Sequence, residues 1–141
     1  MSKSIVVNNY YGTAESIVGL VKEYFSNNDF EYEAALNSSG NQCIQARKSN
    51  WLRNASGTSY ALLVEVKKNN DSSYIVTAGH GKWADKMVVG GVATFVAFGF
   101  LIIPVVIGAV RQIRLPGNLL NYVKGQLAVK HPNCSAYNLI D

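Results

Sequence analysis

Between Lys86 and Arg111 the chain runs for twenty-four residues without a charge, MVVGGVATFVAFGFLIIPVVIGAV, and no other feature of its 141 residues constrains the fold as strongly. As one helix the run would extend about 36 Å at ~1.5 Å per residue, enough to cross a hydrocarbon core of about 30 Å. Fourteen of its residues are Val, Ile, Leu or Phe, which together favour insertion by about 6 kcal/mol. Gly90, Gly91, Gly99, Gly108 and Pro104 oppose a regular helix, and Pro104 also disfavours helical geometry at Ile103. A single kinked spanning helix and a helical hairpin returning to the same side therefore both fit residues 87–110.

The flanks carry cations at both ends. Lys82, Trp83 and Lys86 precede the run, and Arg111 and Arg114 follow it; at a membrane interface they would anchor the entry and the exit. Small residues at Gly90, Gly91, Ala93, Thr94 and Ala97 form one face at helical spacing, which predicts self-association. The alternative is an all-round apolar helix buried in protein. A chain this short can wrap such a helix only by sharing its surface with further copies.

The remainder reads as one domain, residues 1–141, of ordinary globular composition. Charged residues make up 16% of the chain against a usual ~25%, and the deficit sits in the apolar run. The net charge of +4 would suit an anionic lipid surface. With no cluster of five basic residues, no helix-turn-helix pattern and no aromatic RNA-binding strand, no nucleic-acid partner is expected. Cys43 and Cys134 are too few for a disulfide scaffold. The N-terminal MSKSIVVNNYYG lacks a secretory apolar core, so the folded part is expected in the cytoplasm.

Along the chain, Thr13 offers a helix cap, and Ile17, Leu20, Val21, Tyr24 and Phe25 recur at helical spacing, predicting an amphipathic helix over 14–27. FEYEAALN, QCIQARK, YALLVEVKK and YIVTAG, separated by polar turns, predict a four-stranded antiparallel meander. Leu119, Leu120, Val123 and Leu127 share a stripe that predicts a second amphipathic helix with Pro116 near its start. SIVVN offers a short strand, and the tail KHPNCSAYNLID has no periodicity. The expected class is α+β, with the meander, amphipathic helices and one hydrophobic helix or helical hairpin over 87–110.

Chemistry-bearing side chains are sparse. GHGKWADK gathers His80, Lys82, Asp85 and Lys86, and a carboxylate could orient an imidazole base there, but no nucleophile accompanies them. The bland reading makes it a flexible strand-to-helix joint with Asp85 at the helix start. Zinc on Cys43, Cys134, His80 and His131 would suit the ligand types but fits no known spacing. Trp51, between Lys48 and Arg53 in a loop, could insert at a bilayer interface or cover the sheet edge. No catalytic residue, metal or cofactor is assigned.

Gly81, Lys82, Trp83, Asp85 and Lys86 before the run, with Arg111, Gln112, Arg114, Leu115 and Pro116 after it, resemble a module of uncharacterised small bacterial proteins. That module has a G-K-W-x-D-K-like entry, an apolar run with a late Pro and a basic exit; the similarity covers about residues 42–128. Relatives often carry a zinc ribbon ahead of it, whereas this chain has no C-x-x-C pair. The resemblance implies a bacterial or phage source and membrane association, with no activity attached. The expected function is a non-enzymatic, self-associating assembly or adaptor protein at a membrane. The alternatives are a homo-oligomeric structural subunit burying 87–110 between copies, and a pore-forming or membrane-perturbing effector.

Overall fold

Ile5, Val6 and Val7 follow one another and are all buried, the pattern of a strand covered on both faces. In the computed structural model, which describes residues 2–48, 60–100 and 110–139, they form β1 (Lys3–Asn8) inside an eight-stranded sheet. The other elements are α1 (Ala14–Asn27), β2 (Glu31–Leu36), β3 (Gln42–Arg47), β4 (Tyr60–Asn70), β5 (Ser73–Lys82), β6 (Asp85–Val89), β7 (Val92–Val96), α2 (Val110–Lys130) and β8 (Ser135–Asn138). The strand order is β6-β7-β2-β3-β4-β5-β1-β8. Every neighbouring pair is antiparallel except β2 and β7, which meet in parallel at Leu36 and Thr94.

This overturns the four-stranded antiparallel meander. The sheet is mixed and twice as wide, because β1 and β8 add to one side of β2–β5 and a hairpin adds to the other. β1 pairs with β5 and β8 at sequence separations, such as Ile5 with Asn138, that no local pattern encodes. The tail, whose sequence carries no periodicity, supplies β8.

The apolar run is corrected as well. Its first ten residues are not helical: Met87–Val89 belong to β6 and Val92–Val96 to β7, with Gly90 and Gly91 between them. Among the described residues no helix is long and apolar enough to cross a membrane, and no helical hairpin is present at 87–100. The physical reason is the Gly-Gly pair. Both residues have left-handed backbone, φ +61° and +81°, which makes a two-residue turn matching strand twist and would break a helix. Residues 101–109, including Pro104 and Gly108, lie outside the described residues.

Both helices lie on one face of the sheet and touch each other. Thr13 caps α1 by accepting from the Ser16 amide at 3.2 Å, and Asn28 closes it with its amide on the Phe25 carbonyl. α1 buries Ile17, Val18, Leu20, Val21 and Phe25 against β2, β3 and β4, while α2 covers β5, β1 and β8 through Leu119, Leu120, Val123 and Leu127. α2 begins six residues before Pro116, which sits inside it. Strand residues of one parity, among them Ile5, Val7, Ile44, Leu62, Val64, Val66, Val76 and Ala78, complete this main core.

The opposite face carries a smaller core of Ala35, Cys43, Ala84 and Phe95, with Ala93 and Phe98 against it. Gly79 and Gly81 form a flat floor there. A Cβ on Gly81 would stand 2.4 Å from Leu63 Cδ1 and 2.6 Å from the Gly99 carbonyl, and one on Gly79 would stand 2.9 Å from the Phe100 ring. Only glycine lets the chain after β7 return so closely over β5.

Candidate functional site

The hairpin of β6 and β7 is the one place where the described chain shows water a large apolar surface, and its construction follows from residue type. Val88, Val89, Val92, Thr94 and Val96 are β-branched and suit a pleated strand. The Gly-Gly turn sets the register, pairing Val89 with Val92, Val88 with Ala93, Met87 with Thr94, Lys86 with Phe95 and Asp85 with Val96.

Alternation then gives the hairpin two unlike faces. On the side away from the helices Phe95 is buried, and Phe98 stacks on it with ring centroids 5.3 Å apart. The root of the hairpin is tied to this side of the sheet. The fully buried Gln45 donates from Nε2 to the Ala84 carbonyl and accepts from the Ala84 amide at Oε1, both at 2.7 Å. Lys86 Nζ lies 3.3 Å from Glu33 Oε2, and the Arg47 guanidinium sits 3.8 Å over the Trp83 ring.

Thr94 is the lateral partner of Leu36, which places the other face of the hairpin on the helix side of the sheet. There Met87, Val89, Val92 and Val96 are 49, 65, 48 and 47% exposed, surrounding the half-buried Thr94. They are bare for a geometric reason. Strands lie about 4.8 Å apart and a helix is about 10–12 Å wide, so each helix covers two or three strands. α1 and α2 take six of the eight. β6 and β7 are the pair beyond their reach.

The expected interface residues are only partly together. Lys82, Trp83 and Lys86 flank the hairpin root with separate partners; Lys82 is exposed at the end of β5, while Trp83 lies beneath Arg47 and Lys86 pairs with Glu33. Arg111 and Arg114 belong to α2, over the other half of the sheet, and Arg114 is exposed. Trp51 lies outside the described residues. Gly90 and Gly91 make the turn, Ala93 and Thr94 point to opposite faces of β7, and Ala97 follows β7 with φ +58°. The four-residue spacing that grouped them belongs to a helix, and in a strand it does not gather them on one surface.

Asp85 starts a strand, not a helix, and is exposed. His80 is half-buried on β5 opposite Leu62. Cys43 and Cys134 pack against the cores on opposite faces of the sheet, so they do not share a metal site. Burial, then the nearby Glu65 carboxylate, pushes the Cys43 thiol up from 9.0 to about 12, against a smaller lowering by the Asn37 backbone. Burial also raises the Cys134 thiol. Among the described residues no group of three or more His, Cys, Asp or Glu is placed to hold a metal.

Sequence reasoning missed Gln45 and Glu33, which fix the hairpin, and the bare face itself. The available signal was VVGGV, a Gly-Gly pair between β-branched runs. Neither a protein family, nor a curated protein, nor a solved structure matches the chain, so the functional reading rests on this geometry.

Proposed function

We propose that this protein is a non-enzymatic assembly or adaptor protein that acts by presenting the β6 and β7 hairpin to a partner. The observation that carries the reading is the contiguous exposure of Met87, Val89, Val92 and Val96 on a hairpin whose root is rigidly fixed. Apolar patches of this kind mark interaction sites more often than isolated exposed side chains do. An anchored root agrees with a recognition element, since it limits the ordering cost of binding.

The test is the size of the complex that carries the protein in producing cells, read on native gels for wild type and Val89→Lys. The reading expects the variant to lose every species larger than the monomer. Unchanged sizes would sink it. A second reading has its own observation: Val88, 66% exposed, points to the face opposite Val89, so the hairpin tip is apolar on both sides with Lys82 and Lys86 behind it. Such a tip suits shallow insertion between lipid headgroups. Flotation with anionic liposomes, lost in Val88→Lys and Val89→Lys alike, is its expected outcome.

A further inference from the structure

We infer that the cleft between α2 and the β1 and β8 edge of the sheet binds the phosphate group of a small soluble phosphomonoester. The inference goes beyond the hairpin reading and does not depend on it, since the cleft lies at the opposite edge of the sheet.

The sequence opens this cleft by leaving a side chain out of α2. Lys3 shares the strand parity of Ile5 and Val7, which pack under the helices, so it rises against α2. It meets that helix at Gly117, where a Cβ would stand 3.4 Å from Lys3 Nζ and 3.9 Å from its Cδ. The recess there has a volume of about 350 Å³, at the small end of the ~300–1,000 Å³ typical of small-molecule sites. Asn121 and Lys124 follow Gly117 on the same side of α2, at helical spacing. Ser2 and Asn138 line the strand side, and Leu120 and Leu139 supply an apolar wall.

Charge selects the ligand. Among the described residues the ion pairs join Arg47 to Glu31, Lys86 to Glu33 and Lys130 to Glu23. Lys3 and Lys124 have no carboxylate beside them, and none lines the cleft. Lys124 Nζ donates to Asn138 Oδ1 at 3.0 Å, which commits that oxygen and leaves the Asn138 amide nitrogen as a donor. Asn121 brings a second amide and Ser2 a hydroxyl. Two ammonium groups with amide donors and no carboxylate complement a compact dianion whose oxygens accept from several directions. A phosphomonoester fits better than a carboxylate, because lysines act as point charges and no arginine fork lines the cleft. The leucine wall suits a short organic remainder, and a recess suits a molecule that enters from solution.

The test is an amide NMR titration of the full chain with glycerol 3-phosphate, with glycerol as the uncharged control. Saturable shifts are expected at Lys3, Gly117, Asn121 and Asn138 with the phosphate compound and none with glycerol. Lys3→Gln should weaken binding about tenfold, the loss of one charge-assisted contact. Lys68→Gln should leave it unchanged, since it removes the same charge from an exposed site level with Val7, four residues along the sheet from Lys3. Gly117→Leu should abolish binding by filling the cleft with every charge kept; leucine is a better helix former than glycine, and circular dichroism checks the fold.

No saturable shift up to about 20 mM, well above a millimolar dissociation constant, overturns the inference. Equal weakening by Lys3→Gln and Lys68→Gln, the mark of unspecific charge attraction, overturns it too, as does undiminished binding in folded Gly117→Leu. Vesicles containing phosphatidic acid separate the two sources of a phosphomonoester. Flotation that depends on Lys3, without binding of glycerol 3-phosphate, would assign the cleft to a lipid headgroup and overturn the soluble ligand.

Discussion

The six helix-covered strands and the two-strand hairpin belong to one sheet, carry similar β-branched residues and differ in what lies on them. In the body the helix-side face of each strand meets α1 or α2, and Ile5, Val7, Ile44, Leu62 and Val64 are fully buried. In the hairpin only Phe95 and its neighbours are covered, while four apolar side chains of the other face meet water. The number of helices thus decides which part of an apolar sheet is core and which is surface. The same residue types stabilise the fold in one place and offer binding energy in the other.

The largest effect should come from cutting the body. Phe25 is fully buried, with its ring 5.2 Å from Phe30 and 6.0 Å from Tyr32. Phe25→Ala is expected to cost about 3–5 kcal/mol in urea unfolding. Val89→Ala in the hairpin should stay within about 0.5 kcal/mol. Comparable losses at the two positions would break the comparison, because Val89 would then be core.

Next in size is the link between the two regions. Gln45→Ala removes two buried hydrogen bonds and leaves the Ala84 amide and carbonyl without them, at a cost of about 2–4 kcal/mol. Hydrogen exchange sharpens the point: amides of β6 and β7 should lose protection while those of β4 and β5 keep theirs. Uniform loss would mean that the hairpin and the body unfold as one unit.

How much of this was legible depends on range. α1 could be read from Thr13 and the 17, 20, 21, 24, 25 spacing because cap and periodicity are local, and it spans Ala14–Asn27. β1 and β8 were not placed in the sheet because their pairing joins residues more than a hundred positions apart. The hairpin was misread for a different reason. Length and lack of charge in 87–110 favoured a helix, although Gly90 and Gly91 are a local signal for a turn, and a sum over twenty-four residues hides what two of them decide. Gln45 reads as an ordinary polar residue of a half-exposed strand; its burial follows only from the crossing of the chain at Ala84.

A third prediction separates the smaller core from solvent. The Cys43 thiol is raised from 9.0 to about 12, so between those values it stays protonated in the folded chain and ionises in the unfolded one. Its contribution is complete below pH 9 and is lost as pH rises towards 12. The wild type should therefore lose thermal stability over pH 9–11 more steeply than Cys43→Ala. Equal slopes would mean that water reaches the thiol beneath Phe95.

The smallest expected effect lies where the hairpin rejoins the body. Ala97 is exposed and holds φ +58° directly after β7, a conformation that costs a residue with a Cβ about 1–2 kcal/mol. Glycine removes that cost but loses about 0.5–1 kcal/mol of chain entropy. Ala97→Gly should therefore stabilise the protein by about 0.5 kcal/mol, read as a higher urea midpoint at unchanged slope. The substitution also tests the geometry that replaced the helical one. In a helix the same change would destabilise by about 1 kcal/mol, so the sign of the shift alone distinguishes the strand exit from the helix that the apolar run suggested.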